Sequence, residues 1–309
     1  MIPLVYHVSY SRLALPSRHR FPISKYQRLF EYLCQTPFSG QFSLCSPKPA
    51  NQTALASVHC PQYVAGFIHN RLDPKAMRRI GFPWSEHLLT RTLHSVAGTE
   101  LAARKAFEHG IALHISGGYH HAHQDFGSGY CIFNDLVYSA RRMINQGLAD
   151  KVLIIDCDVH QGDGTATMTV GDAHIISCSI HCRQNFPARK ADSHYDIELE
   201  KDAGDDEYLS TLEQILPLLI LTHRPDLILY DAGVDVHAED ELGLLQLSLE
   251  GIFRRDMSVL RHARDAAIPI ACVTGGGYCK DPLQLTLRHS QLFHAAAMLS
   301  GRDSTLLIS

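Results

Sequence analysis

From Ile111 onward, short apolar runs alternate with helix-period segments, and this alternation restricts the fold more than any other feature of the 309-residue chain. Ile111–Ser116, Val152–Asp156, His174–Ile180, Leu227–Tyr230 and Ile268–Thr274 are apolar runs of strand length. Each leads into a polar loop, and helix-period stretches follow at 134–146, 165–170, 206–222, 248–267 and 282–299. Apolar runs without polar alternation read as strands buried on both faces. Strands that alternate with helices imply a parallel sheet covered by helices on both sides, an α/β class. Ahead of this region we expect a strand at 4–7, a helix at 25–34 opened by Ser24, and a loop over 36–52. A short strand at 55–58, a helix ending near His69, an irregular stretch over 70–84 and a long helix 85–109 stopped by Gly110 complete it. Residues 181–205 read as a polar loop. No linker, repeat or low-complexity segment divides the chain, so one domain over 1–309 is expected.

The unusual residues fall in four loops that follow predicted strands, and open α/β sheets bind ligands at the carboxyl ends of their strands. Val152-Leu-Ile-Ile-Asp-Cys-Asp-Val-His160 brings Asp156, Asp158 and His160 out of a strand with period two, so they begin on one face. Buried carboxylates are costly unless paired or bound to metal. Asp158 and His160 are the best metal ligands; Asp156 and Asp163 suit partners that set histidine tautomer and basicity. The loop Gly117-Gly-Tyr-His-His-Ala122 offers His120 and His121 as general acid and base, whereas His123 reads as an ordinary loop residue. Tyr230-Asp-Ala-Gly-Val-Asp-Val-His237 can supply a third ligand; Asp235 is the better candidate, with Asp231 and His237 as competitors. In Gly275-Gly-Gly-Tyr278, Gly276 and Gly277 let backbone approach a ligand, and Tyr278 can donate to an oxyanion. Together these parts describe metal-assisted hydrolysis, with a donor set that suits zinc and also iron(II).

Composition excludes several classes. A net charge of -4 and the lack of any Lys/Arg block argue against nucleic acid as partner. Apolar runs are too short to span a bilayer, and the N-terminus lacks the pattern of a signal peptide. Nine cysteines without regular spacing suggest free thiols in a reducing compartment, hence a cytoplasmic protein; a monomer or small homo-oligomer is expected.

Gly118-Tyr-His-His-Ala122, Asp156-Cys-Asp-Val-His-Gln-Gly-Asp-Gly164, Ala232-Gly-Val-Asp235 and Gly275-Gly-Gly-Tyr278, in this order, resemble the zinc-dependent histone deacetylase superfamily. Asp206-Glu-Tyr-Leu209, Leu242-Gly-Leu-Leu-Gln-Leu-Ser248 and Gly251-Ile-Phe-Arg-Arg-Asp256 are similar to its class IV branch. The resemblance implies an arginase-like three-layer α/β fold and hydrolysis of acyl-lysine in proteins or peptides, with small acetylated amines such as acetylpolyamines as the alternative substrates and a non-catalytic acyl-lysine-binding module as a lesser one. It implies Asp158, His160 and Asp235 as zinc ligands, His120 and His121 backed by Asp156 and Asp163, and Tyr278 as oxyanion donor. It further implies Tyr130 and Phe186 as walls of an acyl-lysine tunnel, Gly129 as a substrate contact, and a potassium ion held by Asp156, Asp158, His160, Ser179 and Ile180. The chain departs from the family pattern at Gly118-Tyr119, where many members read Pro-Gly, and at Tyr130, where Phe is usual. Asp163 stands where class IV members often carry Asn.

Overall fold

The computed structural model describes residues 1–303. Eight strands form one sheet: β1 (Ile2–Val5), β2 (Phe42–Cys45), β3 (Ile111–His114), β4 (Val152–Asp156), β5 (Ile175–Cys182), β6 (Tyr195–Leu199), β7 (Leu227–Asp231) and β8 (Ile270–Val273). Their order is β2-β1-β3-β8-β7-β4-β5-β6, and every pairing is parallel. Helices α1 (Lys25–Gln35), α2 (Gln52–Ala56), α3 (Pro61–Ile68), α4 (Pro74–Ile80) and α5 (Glu86–His109) precede β3. They are followed by α6 (Asp135–Asn145), α7 (Asp163–Thr169), α8 (Asp205–His223), α9 (Leu249–Asp265) and α10 (Pro282–Asp303).

Alternate residues of the central strands enter two separate cores. Val152 and Ile154 of β4, Leu227 and Leu229 of β7, and Ala271 and Val273 of β8 pack on α5 and α6. Leu153, Ile155, Ile228, Tyr230, Ile270 and Cys272 face the other core, with residues of α1, α8, α9 and α10. The continuous apolar runs thus reflect burial on both faces, and the three-layer α/β reading holds.

Five local readings are corrected. Residues 55–58 are not a strand: Asn51 caps α2 by accepting from the Ala54 amide at 2.8 Å. The stretch 70–84 contains α4, with Asp73 as N-cap, Pro74 in its first turn, and Gly81 left-handed at its end. The loops expected at 36–52 and 181–205 contain β2 and β6. Ser24 precedes α1 but makes no side-chain cap.

Candidate active site

The four central strands β3, β8, β7 and β4 are neighbours in the sheet, so the loops that leave their carboxyl ends stand side by side. They meet over a cavity of about 630 Å³ lined by His120, His121, Asp158, His160, Gly276 and Tyr278, among others. The register pairs Asp156 of β4 with Asp231 of β7.

Asp158, His160 and Asp235 converge, all buried. His160 Nδ1 lies 3.0 Å from Asp158 Oδ1 and 3.3 Å from Asp235 Oδ2. Gly276 N–H donates to Asp158 Oδ2 at 2.8 Å, and Val159 N–H to Asp235 Oδ1 at 2.9 Å. Asp235 Oδ2 has no hydrogen-bond donor. Burial would lower the His160 pKa, but the two carboxylates carry it to about 10. One nitrogen and two carboxylate oxygens, converging without enough donors, fit a divalent cation of borderline character. His237, the competitor on the same loop, is half-buried and spends its Nδ1 on the Glu239 amide at 3.0 Å.

Asp231, the other competitor, lies elsewhere. It groups with His120 and Asp156 behind the pair of histidines, and neither of its oxygens finds a donor. Burial and the Asp156 charge raise its pKa well above the carboxylate range.

His120 Nδ1–H donates to Asp156 Oδ2 at 2.7 Å and His121 Nδ1–H to Asp163 Oδ1 at 2.7 Å. Each bond fixes the tautomer that leaves Nε2 free for proton transfer. The environments pull the two rings apart. Burial disfavours the His120 cation, but Asp156 and Asp158 outweigh it and raise the pKa well above normal. Burial, aided by the neighbouring His120, pulls His121 down to about 4 against the pull of Asp163. His123 is more than a loop residue: its Nε2 reaches the second Asp163 oxygen at 3.3 Å, and its Nδ1 meets Thr167 Oγ1 at 2.8 Å.

Tyr278 faces the metal-ligand cluster, its ring 6.5 Å from that of His160. Burial and the Asp235 and Asp158 charges raise its phenol pKa well above normal, so it stays a proton donor. Phe186, nearly half exposed, sets its edge on the His121 ring with centroids 4.8 Å apart. Tyr130 sits 6.1 Å from Tyr278 and holds a left-handed backbone, φ 68°. Gly129, also left-handed, lies against His121: a Cβ there would meet the ring at 2.7 Å. Gly277 needs φ 150°, open only to glycine. Ser179 pairs in register with Asp156 across β4 and β5, and its hydroxyl is bonded to His181 Nδ1 at 3.0 Å; Ile180 follows on β5.

Three supporting residues were given no role from the sequence. Buried Lys25 donates from Nζ to Gly275 O at 2.9 Å, and burial lowers its pKa to about 8 against Asp235 and Asp158. Asp240 accepts from the Tyr278, Leu242 and Gly243 amides, at 2.7, 2.9 and 3.1 Å, joining the third loop to the fourth. Arg255 donates to Gly233 O at 2.6 Å and Cys157 O at 3.1 Å, tying the ends of β7 and β4 together. Arg255 lies within the resemblance-bearing stretch 251–256 and Asp240 beside Leu242-Gly243 in another, whereas Lys25 had no such signal.

The profile of the histone deacetylase domain matches residues 19–292. An uncharacterized protein of Picosynechococcus sp. is 43% identical over 95% of this chain and 98% of its own. Histone deacetylase 2 of Arabidopsis thaliana is 32% identical over 90% of this chain and 75% of its own, and acetoin utilization protein AcuC of Staphylococcus aureus is 26% identical over 84% and 73%. Among the described residues no helix is long and apolar enough to cross a membrane. The loops that meet above β3, β8, β7 and β4 all lie within the matched span, and on that match the chain belongs to the histone deacetylase family.

Proposed function

We propose that this protein is a metal-dependent amidohydrolase that cleaves the amide of N-acyl-lysine in proteins or peptides. The observation that carries this reading is the convergence of His160 Nδ1, Asp158 Oδ1 and an undonated Asp235 oxygen at the floor of a cavity that also receives His120, His121 and Tyr278. Within the family, the stretches at 206–209, 242–248 and 251–256 favour the class IV branch.

A zinc ion held by Asp158, His160 and Asp235 would polarise the amide carbonyl and activate water; iron(II) suits the same donors. Tyr130 and Phe186 flank the entrance and hold the aliphatic arm of the lysine, and they exclude water from the amide. His120 and His121, with Nδ1–H committed to carboxylates, work through Nε2: one takes the proton from water, the other returns a proton to the leaving amine. Tyr278 donates its hydroxyl to the oxygen that becomes negative. Asp240 and Lys25 hold the glycine loop that carries Tyr278. Asp156, Asp158, His160, Ser179 and Ile180 would hold potassium beneath the site.

The test is a panel of acyl-lysine peptides from acetyl to myristoyl, together with acetylpolyamines, run with and without chelator and accompanied by metal analysis. Chelator-sensitive release of the carboxylic acid, leaving the peptide with a free lysine amine, is expected with one metal per chain. Two manganese ions per chain, or tight binding of acyl-lysine without turnover, would overturn the reading.

A further inference from the structure

The mouth of the pocket carries a charge that the catalytic reading does not use. Although the chain is net negative at -4, the only carboxylate among the residues lining the cavity is Asp158, at the metal-ligand cluster. Arg78 and Arg79 line the same cavity, and Arg18 and Arg20 line the cleft that adjoins it. All four are exposed, and among the described residues none pairs with an acidic side chain.

Their placement is fixed by the tunnel wall. Tyr130 N–H donates to Ile80 O at 2.8 Å, so the wall residue is bonded to the turn of α4 that holds Arg78 and Arg79. His19 Nε2–H donates to Gly81 O at 2.8 Å and its ring stacks on Phe82, which sets Arg18 and Arg20 beside the same turn. Arg20 acts on the Tyr130 phenol, partly offsetting the rise that burial causes, so its charge reaches the wall. Arg79 lies over the Phe126 ring at 4.6 Å, which holds its position while leaving its charge unneutralised. The carboxyl end of α4 offsets only about half a unit charge against two guanidiniums. Asp73, the N-cap of α4, is bonded to the Lys75 and Ala76 amides; its charge reaches Arg78 but forms no ion pair with it. Lys280 and Glu241, across the adjoining cleft, approach each other at 3.6 Å and cancel.

We infer that this arginine-lined mouth selects acyl-lysines whose flanking residues are acidic, so that the partner is an acidic peptide segment. The inference rests on the acyl-lysine hydrolase reading and narrows its substrate class. It also disfavours acetylpolyamines, whose remaining amines are cationic and would meet like charge at the entrance.

The test uses the metal-loaded protein and peptides that share one acyl-lysine but carry Asp/Glu, Ala/Gly or Lys/Arg on either side. At low salt the acidic series should exceed the basic series in kcat/KM by about tenfold or more. Raising the salt should shrink that ratio as screening shortens the range of the field. The charge-reversed pairs Arg78→Glu/Arg79→Glu and Arg18→Glu/Arg20→Glu should each move the ratio toward the basic series. Should either variant fail to fold, the peptide series on the unaltered protein decides alone. Equal rates across the three series, faster turnover of the basic series, or an acetylpolyamine that outruns the acidic peptides would overturn the inference and leave amide hydrolysis standing. No chelator-sensitive turnover of any peptide would overturn both.

Discussion

Gly276 offers the sharpest test of how the metal-ligand cluster is built. Its amide donates to Asp158 Oδ2 at 2.8 Å, which brings its Cα against two of the three ligand residues. A Cβ at this position would stand 2.1 Å from Asp235 Oδ2 and 2.3 Å from Asp158 Oδ2. Gly276 is not among the residues with a left-handed backbone, so Gly276→Ala introduces a methyl and no backbone strain. Van der Waals contact begins near 3.5 Å, so both carboxylates must shift by about 1 Å. Metal sites tolerate ligand displacements of roughly 0.2 Å. The substitution should therefore weaken metal binding by about 10- to 100-fold or more, on the scale of disrupting a metal site's supporting shell. Titration with a chelator, read by metal content and by turnover, measures the shift. Thermal unfolding of the metal-free protein separates this from general damage. Gly40→Ala is the control, because a methyl there meets nothing within 4 Å. A Gly276→Ala protein that keeps its metal at the unaltered chelator midpoint would refute the reasoning.

Other expectations follow from the same contacts. Tyr278→Phe should lower kcat by roughly 100-fold with metal content unchanged, the scale of losing one oxyanion donor; full activity would remove the assigned role. His121→Ala should abolish turnover and retain the metal; metal loss in that variant would mean that ligand and base have been exchanged. Arg255→Leu leaves buried Asp256 without the guanidinium that meets it at 2.9 Å, and should cost about 3–5 kcal/mol in urea unfolding. His59 is buried neutral, bonded to His123 O and to the Asn134 amide, with its pKa lowered to about 4 by burial. A folded pKa below the unfolded value means that the unfolded chain takes up the proton first as pH falls. The His59 part of the stability should therefore be lost from about pH 6.5 and level off near pH 4, about 3 kcal/mol in all; His59→Gln should flatten that part of the profile.

The central strands were legible because both of their faces are buried, which leaves an unbroken apolar run in the sequence. The two strands that were missed, β2 and β6, are the outermost of the sheet. Each has one neighbour, and Leu44 of β2 stays exposed, so Phe42-Ser-Leu-Cys45 carries neither a continuous nor an alternating pattern. The prolines near α4 misled for a different reason. Pro74 and Pro83 read as breakers, whereas Pro74 opens the helix behind Asp73, and Gly81 closes it. Among the site residues, those in compact motifs could be read from chain order. Asp235, beyond Gly233, was the better candidate over Asp231, but the sequence did not show where Asp231 goes; the register with Asp156 puts it behind His120. Lys25 acts through a backbone carbonyl of a distant loop, and a contact of that kind leaves no mark on local sequence; Arg255 lies in a stretch that could be read, but not its carbonyl partners.

The strand order also sets a sequence of events for a chain emerging from the ribosome. Among the described residues β8 is the last strand in chain order, yet it lies between β3 and β7 and joins the two halves of the sheet. Until residues 270–273 appear, β1, β2 and β3 cannot join β4, β5, β6 and β7. Asp158 and Asp235 can approach each other earlier, but Asp158 lacks its Gly276 donor and the cleft lacks the wall that carries Tyr278. Sheet closure and completion of the cleft are therefore coupled: both wait for β8 and the glycine loop that follows it.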